Sequence, residues 1–211
     1  MRYIVFQCTN LECGLRFPAL VGSLRGGRCP RCRRSVEQAA IIDLEQEGNE
    51  DPGPISACHF EAVLDNLRSG WNVGAIFRAA DGLGVHRLHL CGITPLPTHA
   101  QVGKTALGAE KSVAWSYAAN GVAACQALSG QGYALWALEA VPGAVNVFDF
   151  TGQSESRPIA LIVGNEVCGI DPGILSLAEK TFYIPMHGAK RSLNVAVAFG
   201  IALSWLKYRA A

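Results

Sequence analysis

Three short polar segments follow apolar runs in the later part of the chain, and their residue types could bind phosphate and carry protons. They are Asn66…Asn72-Val73-Gly74…Arg78, Gly164-Asn165-Glu166 and Ser192-Leu193-Asn194. A guanidinium beside the unpaired amides of a helix N-terminus is a phosphate-binding arrangement. A carboxylate or a hydroxyl close by could take part in proton transfer. These segments are therefore the first candidates for a reaction site.

The segment "NVGAIFRAADGLG", residues 72–84, predicts an amphipathic helix with an unusual outer face. Its core-facing stripe is Val73, Ile76, Phe77, Ala80 and Leu83, whereas the opposite face carries Gly74, Ala75, Arg78 and Gly82. We expect Asn72 to cap this helix and Gly74 to leave its backbone open for a phosphate held by Arg78. A closely packed partner subunit would also suit the small residues. The alternatives are a surface salt bridge from Arg78 to Asp81, and an Asn72 that only caps the helix.

The other two segments carry a carboxylate, a hydroxyl and an amide. Glu166 follows the buried-type strand "PIALIV" and we expect it to point into a cleft, although it could be an ordinary anion in a loop. Ser192 and Asn194 open the last helical segment, where they could serve only as caps.

Four of the eight cysteines lie in the first 32 residues, as Cys8-x4-Cys13 and Cys29-x2-Cys32. Two cysteine pairs at this separation are typical of a tetrahedral zinc site, and about 40 residues bury too little core to fold without a staple. The segment therefore resembles a zinc ribbon. The alternatives are four reduced thiols, or two disulfides in a secreted protein. The other cysteines, Cys58, Cys91, Cys125 and Cys168, lie in or beside apolar runs and we assign them no function.

The near-neutral net charge of +1 conceals an uneven distribution. Residues 1–42 hold seven arginines against two glutamates, a net charge of +5, and residues 43–54 hold five acidic residues and no cation. We expect a zinc-ribbon-like domain at 1–42, an acidic linker at 43–54 and one larger domain at 55–211. The arginines around the second cysteine pair favour contact with a polyanion, although they could form only a solvated surface. We find no signal peptide or membrane span in the sequence and expect a cytoplasmic protein.

Strand-like and helical patterns alternate from residue 55 onward, and this alternation predicts an α/β domain with a largely parallel sheet. Strands are predicted at 60–64, 87–91, 113–117, 133–138, 159–164 and 181–185, and helices at 72–83, 120–130, 173–179 and 193–208. Sheets of this kind bind ligands at the carboxyl ends of their strands. Two glycine-rich segments, "DGLGVHR" and "GNEVCGID", lack the residues that a dinucleotide fingerprint or a phosphate loop requires.

The three polar segments, taken in order, resemble the SpoU (TrmH-like) family of the SPOUT superfamily of RNA 2′-O-ribose methyltransferases. The resemblance covers about residues 60–208 and includes "LDNLRSGWNVGAIFRAAD", "KTALGAEKSVAW", "LIVGNEVCGID" and "IPMHGAKRSLNVAVAFGIAL". It implies transfer of a methyl group from S-adenosylmethionine to a ribose 2′-hydroxyl of tRNA or rRNA. It also implies a SPOUT-type sheet with a C-terminal trefoil knot, preceded here by the zinc-ribbon-like domain.

The resemblance also implies roles for individual residues. Leu138, Gly164, Ile184 and Leu193 match the positions whose backbone surrounds the methyl donor, with Glu166 beside them. The catalytic residues are Arg78, Asn72, Glu166, Ser192 and Asn194, and Arg78 reaches the donor bound in the opposite protomer. Because arginine stays protonated, we expect Arg78 to orient a phosphate and stabilise the developing alkoxide, with the RNA phosphate or Glu166 taking the proton.

The last helix and the overall activity leave alternatives. Ala196, Gly200 and Ser204 form a small-residue stripe, flanked by Val197, Ile201 and Trp205, which suits either intramolecular packing or a homodimer seam. A non-catalytic RNA-binding protein with a zinc head and an inactive SPOUT body is the alternative function. Methylation of a base instead of a ribose is a further alternative.

Overall fold

The computed structural model describes residues 1–43, 59–151 and 155–209, and the chain divides into two units, Met1–Gly53 and Pro54–Ala211. Residues 44–54 of the predicted linker and Cys58 lie outside the described residues. The boundaries predicted at 42 and 54 stay predictions, although the last strand of the first unit includes Asp43. None of the helices in the described ranges has the length and apolar character that crossing a membrane demands.

The first unit is built on a three-stranded antiparallel sheet in the order β2-β1-β3. Its strands are β1 (Arg2–Cys8), β2 (Arg16–Leu20) and β3 (Val36–Asp43), with a single 3-10 turn at Arg25–Gly27. Arg2 and Asp43, at opposite ends of the unit, face each other across β1 and β3 and form a bidentate ion pair with N–O distances of 2.5 and 2.9 Å. Cys8 ends β1 and Cys13 lies between β1 and β2, whereas Cys29 and Cys32 lie between β2 and β3, and the four thiols come together.

The second unit is an α/β domain whose seven strands are all parallel, in the order β6-β5-β4-β9-β7-β10-β8. Its elements are β4 (Phe60–Asp65), α1 (Gly70–Gly82), β5 (Arg87–Cys91), α2 (Ala100–Ala106), α3 (Ala109–Ser112), β6 (Ala114–Ala118), α4 (Gly121–Gly130), β7 (Ala134–Leu138), β8 (Val145–Asn146), β9 (Ile159–Val163), α5 (Pro172–Leu175), β10 (Lys180–Tyr183) and α6 (Val195–Arg209). The predicted α/β class and parallel sheet are confirmed. The trefoil knot stays a prediction.

The sheet separates two apolar layers, because successive side chains of a strand point to opposite faces. Helices α1, α2 and α6 cover one face, where Phe77 and Phe199 pack with Leu64. Helices α4 and α5 cover the other face, where Leu128 and Ile174 pack on alternate residues of the same strands. Strands β4, β9 and β7 are buried almost completely, which explains why their sequences read as continuous apolar runs.

Helices α2 and α3 are absent from the predicted elements, and their position corrects our interpretation of Gly74. Gly74 is buried, and a Cβ there would overlap the Val102 carbonyl and the Thr105 hydroxyl of α2. Thr105 also donates to the carbonyl of Trp71 at 3.1 Å. The small residue in α1 therefore allows close contact with a neighbouring helix of the same chain, and it does not open the backbone to a phosphate.

A buried glutamate near the start of β4 is hydrogen-bonded to two histidines, although their spacing in the sequence did not predict these contacts. Glu61 accepts hydrogen bonds from His89 at 2.6 Å, from Tyr133 at 2.8 Å and from His59 at 3.2 Å. In the tautomer with hydrogen on Nε2, His89 donates to Glu61 while its Nδ1 accepts from the Ser116 hydroxyl at 3.0 Å. Burial by itself raises the pKa of Glu61, but these hydrogen bonds outweigh it and lower the pKa to about 2.

This depressed pKa makes the stability of the domain dependent on pH in the acid range. The ionised Glu61 stabilises the fold fully above the ordinary pKa of 4.5, and the contribution disappears as the pH falls towards 2. We expect Glu61→Gln to lower the free energy of unfolding at pH 7 by about 2 kcal/mol and to flatten its decline below pH 4.5. Urea unfolding between pH 2 and 7 measures both effects. The control is Asp149→Asn, an exposed carboxylate without a hydrogen-bond partner in the described ranges, and equal curves for the two variants would contradict the assignment.

Candidate active site and candidate metal centre

A cavity of about 750 Å³ opens at the carboxyl ends of β4, β9, β7 and β10. Its walls come from the segments that follow these strands and from the segment before α6. This is the edge at which open parallel sheets bind ligands, and the volume suits a small-molecule cofactor. The lining includes Ser69, Asn72, Leu138, Gly164, Glu166, Ile184, Ser192, Leu193 and Asn194.

Glu166 links the segment after β9 to the start of α1. Its Oε1 accepts from the backbone N–H of Ser69 at 3.1 Å and from the Asn72 side chain at 2.8 Å, while Oε2 accepts from the N–H of Arg68 at 2.9 Å. Burial raises the pKa of Glu166, but these hydrogen bonds outweigh it, so the pKa is lowered overall. The carboxylate is therefore ionised at neutral pH and occupies the place at the helix N-terminus where we had expected a phosphate.

The start of α1 also differs from the prediction. The helix begins at Gly70, and its cap is Ser69, whose hydroxyl accepts from the N–H of Asn72 at 3.4 Å. Asn72 lies in the first turn, so its side chain is free to bridge Glu166 and Asn194 instead of capping. The expectation that Asn72 is the cap is therefore wrong.

Asn194 completes a chain of hydrogen bonds across the three polar segments. Its side-chain nitrogen donates to Asn72 Oδ1 at 2.9 Å, and its Oδ1 accepts from the N–H groups of Ala196 and Val197 at 3.0 and 3.4 Å. Asn194 thus caps α6 and contacts the site at the same time. Ser192 is exposed and lines the cavity. Asn194, Asn72 and Glu166, far apart in sequence, therefore meet at one rim of the cavity.

The four positions matched to the methyl donor all line the cavity. Leu138 ends β7, Gly164 follows β9, Ile184 follows β10 and Leu193 lies just before α6. Gly164 has a specific steric role, because a Cβ there would overlap the backbone of Gly169 and Ile170. The loop after β9 turns back tightly enough that only glycine fits at this position.

Arg78 lies apart from this group. It is exposed on α1, six residues beyond Asn72, which is about 9 Å further along the helix axis. It does not line the cavity of its own chain, and it forms no hydrogen bond or ion pair within residues 59–151 and 155–209, so the alternative pairing with Asp81 is not observed. Asp81 accepts instead from Ser112 at 2.6 Å.

Our prediction omitted several residues that line or shape the cavity. Glu139 follows β7 directly, and its Oε2 accepts from the N–H of Ile170 at 3.0 Å. Asn165 donates from its side chain to the Asn66 carbonyl at 2.7 Å, which joins the loops after β9 and β4. Arg68 and Arg191 add two exposed cations. The position of Glu139 at the carboxyl end of a strand was the signal that could have identified it.

The first unit contains a cluster of four thiols. The sulfur atoms of Cys8, Cys13, Cys29 and Cys32 lie within 4.8 Å of one another, with separations of 3.4 Å for Cys8–Cys32 and 3.8 Å for Cys13–Cys29. Tetrahedral zinc with Zn–S bonds of about 2.3 Å requires sulfur separations of about 3.8 Å, whereas a disulfide requires about 2.05 Å. The donor set and its geometry fit a structural zinc ion.

We expect Cys29→Ser to reduce the zinc content of the purified full-length protein from about one ion per chain to near zero, because thiolate ligands act together. Elemental analysis after dialysis measures this content. Cys168→Ser, which removes an exposed cysteine outside the cluster, is the matched control and keeps its zinc. A metal-free wild-type protein with all four thiols reactive would contradict the zinc assignment.

Comparison with known proteins identifies relatives of the second unit. The SpoU rRNA Methylase family model matches residues 59–204. The tRNA (guanosine(18)-2′-O)-methyltransferase of Aquifex aeolicus is 33% identical over 139 residues, which cover 66% of this chain and 64% of that protein. The 23S rRNA (guanosine-2′-O-)-methyltransferase RlmB of Nitrosomonas europaea is 31% identical over 141 residues, which cover 67% of this chain and 53% of that protein.

The structures agree as well. The crystal structure of AdoMet-bound rRNA methyltransferase from Sinorhizobium meliloti superimposes with a TM-score of 0.65 and 25% identity, over 82% of this chain and 64% of that one. The match therefore spans less than two thirds of the length of each of these relatives. It includes all three polar segments and the whole cavity, and on this evidence the chain belongs to the SpoU rRNA methylase family.

Proposed function

We propose that this protein is an S-adenosylmethionine-dependent RNA methyltransferase that methylates a ribose 2′-hydroxyl of tRNA or rRNA. The observation that carries the proposal is the hydrogen-bonded chain Asn194–Asn72–Glu166 at the rim of the cavity. It joins three segments that are unrelated in sequence position, at the edge where the sheet binds ligands. The substrates named for the relatives, tRNA and rRNA, support RNA as the substrate class.

The cavity fits the methyl donor that the family uses. Leu138, Ile184 and Leu193 supply apolar walls for an adenine ring, and the glycine at 164 allows the tight turn of the loop that forms part of the cavity wall. S-adenosylmethionine, when bound, supplies an electrophilic methyl group on a sulfonium. The tasks of the protein are then to align the ribose oxygen with that methyl group and to stabilise the charge that develops as the hydroxyl loses its proton.

Arg78 is the group proposed to stabilise this charge, and its position requires a second copy of the chain. Because Arg78 lies outside the cavity of its own chain, the partner subunit's Arg78 would act in each site. Helix α6 supports a homodimer, because Val197 and Ile201 on its outer face are 51% and 37% exposed and a Cβ at Gly200 beside them would meet nothing within 4 Å. Two such faces related by a two-fold axis would cover each other.

Glu166 and Asn72 receive positioning roles in this proposal. Three hydrogen bonds hold Glu166 ionised with a lowered pKa, and these contacts hold Asn72 and the start of α1 beside the loop after β9. Asn194 ties α6 to the same rim, and Ser192 presents its hydroxyl to the cavity. The two proposed acceptors of the ribose proton are the RNA phosphate that Arg78 orients and Glu166.

The remaining assignments complete the proposal. The domain of residues 1–42 carries a structural zinc ion on Cys8, Cys13, Cys29 and Cys32, and the acidic segment 43–54 links it to the methyltransferase domain. The cytoplasm is the proposed location, because it holds both tRNA and rRNA.

Incubation with radiolabelled S-adenosylmethionine and total RNA, followed by mapping of ribose methylation, tests the function. We expect label in discrete nucleotides that resist alkaline cleavage, because a 2′-O-methyl group removes the nucleophile for that cleavage. Label on a base would show that the enzyme methylates a base instead of a ribose. RNA binding without label, or with no affinity for S-adenosylmethionine by isothermal titration, would indicate a non-catalytic RNA-binding protein.

A further inference from the structure

The loop of the second cysteine pair concentrates exposed positive charge. We call residues 28–34 the arginine knuckle; its described side chains include Arg28, Arg31, Arg33 and Arg34, and all four are exposed. The knuckle closes through hydrogen bonds from Cys29 N–H to the Arg34 carbonyl at 2.8 Å and from Arg33 N–H to the Cys29 carbonyl at 2.9 Å. Its two cysteines belong to the thiol cluster, so the loop is held at its base.

The charges of the arginine knuckle are uncompensated within the described residues. None of its four guanidinium groups forms an ion pair or a hydrogen bond there. Two other arginines are compensated, because Arg2 is paired with Asp43 and Arg157 with Glu155 and Glu179, whereas Arg78 is unpaired in the described ranges, like the knuckle. Four unpaired guanidinium groups within seven residues repel one another, which favours a partner that brings negative charge.

The backbone of the knuckle also argues for a binding surface. Arg33 has a φ of 65°, in the left-handed region that glycine adopts more readily. Glycine would adopt this conformation at lower cost, so the turn itself does not require an arginine at this position. A loop closed by hydrogen bonds and held by two ligands of one cluster also loses little backbone entropy when it binds a partner.

We propose that the arginine knuckle binds the phosphate backbone of the substrate RNA and takes no part in methyl transfer. This proposal rests on the proposed function for its choice of RNA as the polyanion. Guanidinium groups match phosphate oxygens with two parallel hydrogen bonds, and such contacts supply affinity without reading sequence. The knuckle therefore raises the affinity of the enzyme for RNA and leaves the methyl-transfer step unchanged.

The test compares two double variants of the full-length, zinc-loaded protein. R31Q/R34Q removes two uncompensated charges, whereas the control R2Q/R157Q removes two arginines that are already paired with carboxylates. We expect R31Q/R34Q to weaken binding of bulk tRNA by about tenfold at 0.1 M KCl and to lower the slope of log Kd against log salt by about 1.5. The control should change the affinity by less than about twofold.

Two further measurements separate this role from a structural one. R31K/R34K, which keeps the charge, should recover most of the affinity, and the zinc content of every variant should equal that of the wild type. In the methylation assay, R31Q/R34Q should raise KM for RNA by the same factor as Kd and leave kcat at saturating RNA unchanged.

Several outcomes would overturn the proposal. One is an unchanged affinity and salt slope in R31Q/R34Q. Another is tighter RNA binding in this variant, which would indicate that the knuckle binds the acidic residues of 43–54 instead of RNA. The third is a lower kcat with constant KM. The binding measurements do not depend on methylation activity. An inactive wild type whose RNA affinity still falls in R31Q/R34Q would therefore contradict the proposed function and leave the RNA contact standing.

Discussion

Replacing Arg78 with alanine is expected to lower the rate of RNA methylation by about two to three orders of magnitude, while the affinity for S-adenosylmethionine changes by no more than a few-fold. Arg78 lies outside the cavity that is proposed to hold the donor in its own chain, so its loss leaves that cavity intact. It is also an exposed cation without a partner in the described parts of the chain, so its removal should not affect folding. Single-turnover methylation and calorimetric titration with S-adenosylmethionine measure the two effects separately.

Two matched variants accompany this measurement. Arg78→Lys keeps the charge but loses the planar fork, and should retain only a small part of the activity. Lys111→Ala removes another exposed cation of the same domain and should leave the activity unchanged. Strong residual activity in Arg78→Ala would remove Arg78 from the mechanism.

Mixing subunits shows which copy supplies the arginine. An Arg78→Ala chain paired with an Asn194→Ala chain forms one site with both residues intact only if Arg78 acts across the dimer. We expect each variant alone to be nearly inactive and their mixture to recover a measurable fraction of wild-type activity after exchange of subunits. No recovery, with heterodimers demonstrated by mass spectrometry, would place Arg78 outside the partner's site.

Replacing Gly164 with alanine is the second change with a large expected effect. The added Cβ would overlap the backbone of Gly169 and Ile170, which cannot move aside as a flexible side chain could. The loop after β9 must then shift, and with it the backbone of Asn165 and Glu166 at the cavity rim. We expect the affinity for S-adenosylmethionine to fall by at least about tenfold and the free energy of unfolding to fall by about 1–3 kcal/mol.

Calorimetric titration and urea unfolding measure these two effects. Gly130→Ala in α4, where a Cβ meets nothing within 4 Å, is the control and should change neither quantity by much. Normal donor affinity in Gly164→Ala would show that this loop can relax without disturbing the cavity, and would contradict the role assigned to the glycine.

The sequence predicts the parallel sheet because burial on both faces leaves a direct trace in composition. β9, "IALIV", reads as an unbroken apolar run, and its observed bounds differ from the prediction by one residue. Helix α2, "AQVGKTA", leaves no such trace, since only Val102 and Ala106 are buried. Short helices whose packing depends on a glycine in a neighbouring helix are invisible to periodicity, and this is why Gly74 was misinterpreted.

Individual contacts in the candidate site were also not predictable from the sequence. The family resemblance assigned Glu166, Asn72 and Asn194 to one site, and their side chains are hydrogen-bonded in the structure. The partners of each group were not predictable, because the carboxylate of Glu166 could have faced solvent, substrate or the amides that it binds. The pairing of His89 with Glu61 was likewise hidden, since the two residues lie 28 positions apart on neighbouring strands.

The order of the strands has a consequence for how the protein is made. β4 enters the ribosomal exit tunnel first among the strands of the large sheet, yet one of its two neighbours is β9, with Phe60 opposite Ile159. Pairing β4 with β9 closes a loop of about 100 residues, which is slow because the chain loses entropy before the strands make contact. Until they pair, β4 exposes apolar surface. The edge of β4 that pairs with β9 therefore stays unpaired until the chain beyond residue 163 has been synthesised.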